Sequence, residues 1–221
     1  MKRILVILSV LVFLGTLPQT KGAAWGAESY YPLKAGMTWE YTVTSDKSGT
    51  KKVIIKNLAP QKVDDKTVTP VEWNTNGRIA INFVVEDDSG VYKIAEQRPG
   101  STELIKISPP TYYLKYPISE ESSWDTVTKM GGRDIQLSHT IYSVSDTITV
   151  PAGTFKDCVK IKNTGTDISK DKDDISLSLE AFEWYAPGVG CVKSMATIKK
   201  QEKNKDTSTE IVAYQLESLK K

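Results

Sequence analysis

Short strand-like segments, following one another along almost the whole chain, constrain its fold more than any other feature. Segments with alternating or β-branched character recur at intervals of roughly ten residues, a spacing typical of β-sandwiches and barrels. They are residues 38–45, 51–58, 67–74, 78–86, 90–95, 103–107, 111–116, 124–129, 137–150, 154–163, 176–186, 190–199 and 209–218. No window combines a helical apolar period with a helix start signal, so the chain predicts no helix.

Turn residues separate these segments and indicate that most sequence neighbours are also neighbours in the sheet. The clearest signal is Asn76-Gly77, because both residues tolerate positive φ and apolar segments flank them. Pro70 interrupts one segment and predicts an edge strand or a bulge there, since proline cannot donate to a sheet ladder.

The expected architecture is an all-β, antiparallel meander forming a strongly curved sheet, a half-barrel or an open barrel. No helix is predicted that could cover one face of this sheet. The sheet therefore has to curl, pack against itself or leave one face partly open. We expect one such domain over residues 25–221.

The N-terminus has the features of a cleavable signal peptide over residues 1–24. Lys2 and Arg3 precede an apolar run from Ile4 to Leu17, and the small residues 22–24 supply a signal peptidase site. The run is shorter than the ~20 apolar residues of a membrane span, so no transmembrane segment is expected after processing. These features predict a periplasmic or secreted protein.

The charge balance gives no reason to expect nucleic acid as a partner. The chain has 29 Lys and Arg against 27 Asp and Glu. Removal of Lys2, Arg3 and Lys21 with the signal peptide leaves 26 against 27, a net charge near −1. The oligomeric state is left open.

Cys158 and Cys191 are the two cysteines of the chain. In an oxidising compartment they can form a disulfide, although spacing alone does not determine pairing. The alternative is that they are two separate, small core residues.

Most catalytic and metal-binding patterns are missing from the sequence. His139 is the single histidine, no Gly-x-Ser-x-Gly occurs, and the cysteines form no Cys-x-x-Cys. We therefore expect His139 to be structural or at the surface, and we expect no catalytic residue, cofactor or metal site. Glu180 and Glu183, beside Trp184, are the best carboxylates for glycoside hydrolysis, but residues three apart on a strand point to opposite faces.

Aromatic side chains that precede or enter strands are the remaining candidates for a binding site. The residues predicted to line a ligand cavity are Trp39, Tyr41, Tyr113, Trp124, Trp184 and Tyr185. A concavity lined by such rings suits an apolar or carbohydrate ligand. Packing into the core is the alternative for each of them.

Three stretches carry a family resemblance: Tyr31 to Tyr41 (YPLKAGMTWEY), Val150 to Cys158 (VPAGTFKDC) and Glu183 to Lys193 (EWYAPGVGCVK). With them the chain resembles a broad group of uncharacterised bacterial secreted proteins. These look similar to periplasmic proteins with a curved sheet or half-barrel. The resemblance implies an architecture and supplies no catalytic residues.

The function expected from the sequence is a non-catalytic binding module of the cell envelope for an apolar or lipid-like ligand. A structural or protein-interaction module, with an envelope protein as its partner, is the alternative. An enzyme acting on polysaccharide or peptidoglycan is the third possibility. Fold resemblance does not decide among them, because one architecture serves many functions.

Overall fold

The computed structural model describes residues 28–130, 132–169, 175–203 and 205–221, and these form β-strands joined by turns. The predicted signal peptide lies outside the described residues. The strands are β1 (Thr38–Ser45), β2 (Gly49–Asn57), β3 (Gln61–Val63), β4 (Lys66–Thr75), β5 (Arg78–Asp87), β6 (Gly90–Gln97), β7 (Ile105–Lys115), β8 (Ser123–Met130), β9 (Arg133–Val150), β10 (Gly153–Asp167), β11 (Ile175–Ala186), β12 (Gly190–Glu202) and β13 (Ser208–Lys220).

The strands pair antiparallel in one curved sheet, in the order β7-β6-β5-β4-β2-β1-β13-β12-β11-β10-β9-β8, with β3 attached to β4. The two edge strands, β7 and β8, do not pair, but Trp124 Nε1 on β8 donates to the Tyr112 carbonyl on β7 at 3.4 Å. The sheet is therefore an open barrel, nearly closed, which confirms the predicted fold class. Nowhere in the described ranges is there a helix with the length and apolar character needed to cross a membrane.

Two strands differ from the sequence prediction. The segments predicted at 103–107 and 111–116 are parts of one strand, β7, which continues through Pro109 and Pro110. This is tolerated because β7 is an edge strand, whose outer side needs no ladder donors, and because its ladder with β6 is interrupted between Lys106 and Thr111. The three-residue strand β3 was not predicted, since it is too short to show a period.

The structure confirms the predicted turn at Asn76-Gly77, but it does not place Pro70 on an edge strand. Asn76 and Gly77 have φ of 51° and 82° and close the hairpin between β4 and β5. Pro70 lies in β4, an interior strand, so the predicted edge position is wrong. Its missing donor is tolerated because β2 pairs with Val71–Thr75 and β3 with Lys66–Val68, and Pro70 lies between these two ladders.

Most of the main hydrophobic core lies on the concave side of the sheet. Strand alternation sends Trp39, Tyr41 and Val43 of β1 into it, together with Leu216 of β13. A smaller cluster lies on the opposite face of β4 to β6, where Phe83 and Val85 point away from Val84 and pack with Val63 of β3. The short strand β3 therefore covers part of the convex face.

Cys158 and Cys191 are free thiols in the structure, so it does not support the disulfide that the sequence allows. Cys158 is on β10 and Cys191 on β12, and β11 lies between these strands. Two strand spacings are about 9–10 Å, beyond the ~7 Å between Cα atoms that a disulfide can bridge. The strand order, which the spacing of the cysteines does not reveal, therefore keeps them apart.

Candidate functional site

A cavity of about 410 Å³ opens inside the concave face of the sheet. Four of the six aromatic residues predicted to line a ligand site border it: Trp39 and Tyr41 of β1, Tyr113 of β7 and Tyr185 of β11. Its volume lies in the range of roughly 300–1,000 Å³ usual for small-molecule sites.

Small side chains on β11 and β12 create the space. Ala181 on β11 pairs with Ala196 on β12, and Ser194 and Gly190 border the cavity further along β12. Each of these positions points inward by strand alternation, where a larger residue would fill the hollow. Aromatic residues on the other strands therefore face a wall of small ones.

Two of the aromatic residues are held rigidly by hydrogen bonds at their polar ends. Trp39 Nε1 donates to the Val189 carbonyl at 2.6 Å, and the Tyr41 hydroxyl donates to the Cys191 carbonyl at 2.6 Å. Both acceptors belong to the turn between β11 and β12 or to the start of β12. These bonds satisfy the buried polar atoms and leave the ring faces for apolar contact.

Trp184 does not line the cavity, contrary to the sequence prediction. It points to the face of β11 opposite to Glu183 and Tyr185, and its Nε1 donates to Asp146 Oδ2 at 2.9 Å. The Nζ atoms of Lys160 and Lys193 lie 5.3 and 5.5 Å from its ring centroid. This geometry is a cation–π arrangement on the convex side of β11, where Trp184 itself is only 8% exposed.

Trp124 also does not border the main cavity. It stacks on His139 with ring centroids 5.0 Å apart, and it borders a smaller cavity of about 320 Å³ near the seam between β7 and β8. Its place in the fold is to close that seam and to support His139.

A row of polar side chains crosses four strands along one wall of the cavity. His139 on β9 is 8% exposed, with its Nε2 2.8 Å from Thr126 Oγ1 on β8 and its Nδ1 2.8 Å from Asn163 Oδ1 on β10. The threonine hydroxyl can donate to Nε2, and a proton on Nδ1 can donate to the Asn163 carbonyl oxygen. Burial lowers the pKa of His139, which favours this neutral form.

The row ends at Glu183 on β11. The Tyr185 hydroxyl donates to Glu183 Oε2 at 3.0 Å. Burial raises the pKa of Glu183, and hydrogen bonds from Tyr185 and Asn163 partly offset that rise. Glu180, three residues earlier, lies on the other face and pairs with Lys162 at 3.2 Å, as alternation predicts. The two carboxylates therefore do not face each other.

Two further polar groups belong to the opposite part of the wall. Lys93 on β6 borders the cavity, but its Nζ binds Glu96 Oε2 at 2.7 Å. Trp73 on β4 also borders it, and its buried Nε1 has no hydrogen-bond partner among the described residues. The described ranges hold no group of three or more His, Cys, Asp or Glu side chains placed to bind a metal ion.

Sequence reasoning missed the polar row, although one signal for it was present. His139 stands in an alternating row with Ile135, Leu137 and Ile141, so its side chain had to face the core. Asn163 follows Ile161 in the same way on β10. A polar residue within an inward-facing apolar row indicates a buried network, but which residues meet depends on register.

Comparison with known proteins gives one partial family match and two structural similarities. The profile of the DUF3108-like family matches residues 125–211, less than half of the chain. This stretch contains Thr126, His139, Asn163 and Glu183. No curated protein matches the chain.

Two crystal structures of bacterial proteins are similar to the chain. One is a "putative exported protein with YmcC-like fold" from Bacteroides fragilis, at 16% identity and a TM-score of 0.47, covering 88% of this chain and 100% of that one. The other is a "putative lipoprotein" from Parabacteroides distasonis, at 14% identity and a TM-score of 0.45, covering 87% of this chain and 99% of that one.

Proposed function

We propose that this protein is a non-catalytic, periplasmic or secreted binding module that holds an apolar or lipid-like ligand inside its curved sheet. The observation that carries the proposal is the cavity of about 410 Å³, bordered by aromatic side chains and by small residues of β11 and β12. The export features of residues 1–24 support the compartment.

The cavity is large enough for a ligand of moderate size. Its volume of about 410 Å³ corresponds to ~14 water volumes at roughly 30 Å³ each, which suits a ligand with a similar number of non-hydrogen atoms. Water gains little in the part of the cavity bordered by Trp39, Ile55 and Val71, because these side chains offer it no free hydrogen-bonding group. An apolar ligand would gain roughly 0.8 kcal/mol for each methylene it buries there.

The unpartnered Trp73 Nε1 is a second reason to expect a ligand. A buried donor without an acceptor costs about 1–3 kcal/mol. A hydroxyl or carbonyl oxygen on the ligand would recover part of that cost after a small movement of the ring. The ligand we propose is therefore mainly apolar and carries some polar atoms.

Titration with the fluorescent apolar probe N-phenyl-1-naphthylamine tests this function. We expect saturable binding of one probe per chain by the native protein, with displacement by decanol. Binding that appears only on partial unfolding, or no binding at all, would overturn the proposal.

A protein-interaction module is the second candidate, and the free edge of β8 favours it. β8 pairs only with β9, and Val127 near its middle is 48% exposed. A strand edge of this kind can accept a strand from another chain. This role predicts a stable complex with an envelope protein and no saturable binding of the probe.

A further inference from the structure

The cavity contains one carboxylate that no cation of the described residues neutralises. The charged side chains that border it are Lys93 and Glu183. Lys93 is occupied by Glu96, which also has Arg98 3.6 Å away. Glu183 has only neutral partners, the Tyr185 hydroxyl and the Asn163 amide.

The polar row is ordered so that its donors run toward this carboxylate. With the His139 proton on Nδ1, Thr126 donates to His139, His139 donates to Asn163 Oδ1, and the Asn163 side-chain amide donates to Glu183. Tyr185 donates to the same carboxylate from its own strand. An ionised carboxylate offers about four acceptor sites, so two donors leave room for others.

Aromatic rings surround the same end of the cavity. Tyr31 stacks on Tyr113 with ring centroids 5.3 Å apart, and Tyr185 lies 6.3 Å from Tyr31. Burial and, to a smaller degree, the charge of Glu183 raise the pKa of all three hydroxyls. The rings therefore lie within electrostatic reach of the carboxylate.

We propose that the ligand carries a cationic amine, which binds the Glu183 carboxylate beside the rings of Tyr31, Tyr113 and Tyr185. An ammonium group supplies up to three donors and the missing positive charge. Tyrosine ring faces attract cations, and the attraction grows when water is excluded. The inference rests on the proposed binding function and names the polar end of its ligand.

Other head groups fit this end of the cavity less well. A carboxylate or phosphate would meet the charge of Glu183, and Lys93 is already neutralised by Glu96. A hydroxyl could donate one hydrogen bond to Glu183 but would leave the buried charge unpaired. An amine is the head group that satisfies both the acceptor sites and the charge.

Three ligands with the same tail and different heads test the inference: decylamine, decanol and decanoate, each competed against N-phenyl-1-naphthylamine at neutral pH. We expect decylamine to bind about tenfold or more tightly than decanol, and decanoate to bind most weakly, because a hydrogen-bonded charge pair is stronger than a neutral one. Glu183→Gln should remove the preference for the amine, so that decylamine no longer binds more tightly than decanol. Glu180→Gln, on the convex face of the same strand, is the matched control and should behave as wild type.

The outcomes separate the two proposals. If decanol binds and decylamine shows no advantage, or if Glu183→Gln keeps the advantage, the amine inference is wrong and the binding function stands. If the probe does not bind the native protein, or if none of the three ligands displaces it, the binding function fails as well.

A pH series on the wild-type protein gives a second readout that does not depend on any variant folding. Decylamine affinity should rise with pH as Glu183 ionises. The other titratable groups that border the cavity are His139, Lys93, Cys191 and the tyrosines of the wall, namely Tyr31, Tyr41, Tyr112, Tyr113, Tyr185 and Tyr214. Burial raises the pKa of Cys191 and of Tyr31, Tyr41, Tyr113, Tyr185 and Tyr214, so these groups do not ionise below neutral pH. His139 also titrates in acid, so the pH series is repeated on Glu183→Gln. The pH dependence that is present in the wild type and absent from the variant is due to Glu183. An affinity independent of pH would contradict the inference.

Discussion

Ala181→Leu should raise the stability of the fold and lower its affinity for ligand. Ala181 points into the cavity, and its neighbours across the ladders are Ala196 on β12 and Asn163 on β10. Leucine adds three carbon atoms where there is space for them. At ~0.8 kcal/mol for each buried carbon, the fully accommodated side chain would stabilise the empty protein by about 2 kcal/mol.

The same substitution should weaken binding. Three carbon groups, each near the ~30 Å³ of a water molecule, fill roughly 90 Å³, about a fifth of the cavity. Excluding ligand atoms of that volume should cost tenfold or more in affinity for N-phenyl-1-naphthylamine. A variant that is more stable and binds less well is the expected result, whereas general damage to the fold would lower both quantities.

Thermal unfolding followed by circular dichroism, together with probe titration, measures both effects. For a protein of this size, 2 kcal/mol corresponds to a rise in Tm of about 4–8 °C. Ala213→Leu is the matched control, because Ala213 on β13 points outward between the partners Met195 and Thr44. Unchanged probe affinity in Ala181→Leu, with normal folding, would refute the assignment of the cavity as the binding site.

Three further results are expected. Labelling of the exported protein under denaturing, non-reducing conditions should find two free thiols; loss of both signals would restore the disulfide between Cys158 and Cys191. Glu183→Gln should be more stable than wild type at neutral pH. The pKa of Glu183 is higher in the folded than in the unfolded state, so the wild type loses stability as pH rises through that interval. Denaturant unfolding between pH 4 and 7 should show the stabilities of the two proteins converging in acid, and a stability difference independent of pH would count against a buried carboxyl. NMR titration of His139 should give a pKa below its ordinary value of 6.5, because burial disfavours the charged ring, and a raised value would contradict the neutral hydrogen-bonded state.

Local patterns predicted most of the fold because each strand carries its own signal. Turn residues and alternation located β1 within its observed bounds and the hairpin at Asn76-Gly77 correctly. The predictions failed at prolines, where the pairing of the neighbouring strands decides whether a proline can lie within a strand. Pro109 and Pro110 continue a strand because β7 is an edge and its ladder with β6 is interrupted there. Pro70 is tolerated in an interior strand because it lies between two ladders.

The site was less predictable, because it depends on long-range register. Trp184 and Tyr185 are adjacent in sequence but point to opposite faces of β11. Tyr185 borders the cavity and Trp184 does not, and the sequence does not reveal which face of β11 is concave. His139 meets Asn163 through a β9–β10 ladder that contains register shifts between Phe155 and Ile161. No local pattern reports such shifts, so the row from Thr126 to Glu183 emerges only in three dimensions.

A crystal structure of the protein with decylamine is the most direct test of the central claim, that the curved sheet encloses a ligand site. The account predicts the decyl chain between the aromatic wall of Trp39 and Tyr41 and the small residues Ala181 and Ala196. It also places the nitrogen within about 3 Å of a Glu183 carboxylate oxygen, the distance of a charge-assisted hydrogen bond. A cavity that stays free of ligand while decylamine occupies the convex face around Trp184 would contradict it.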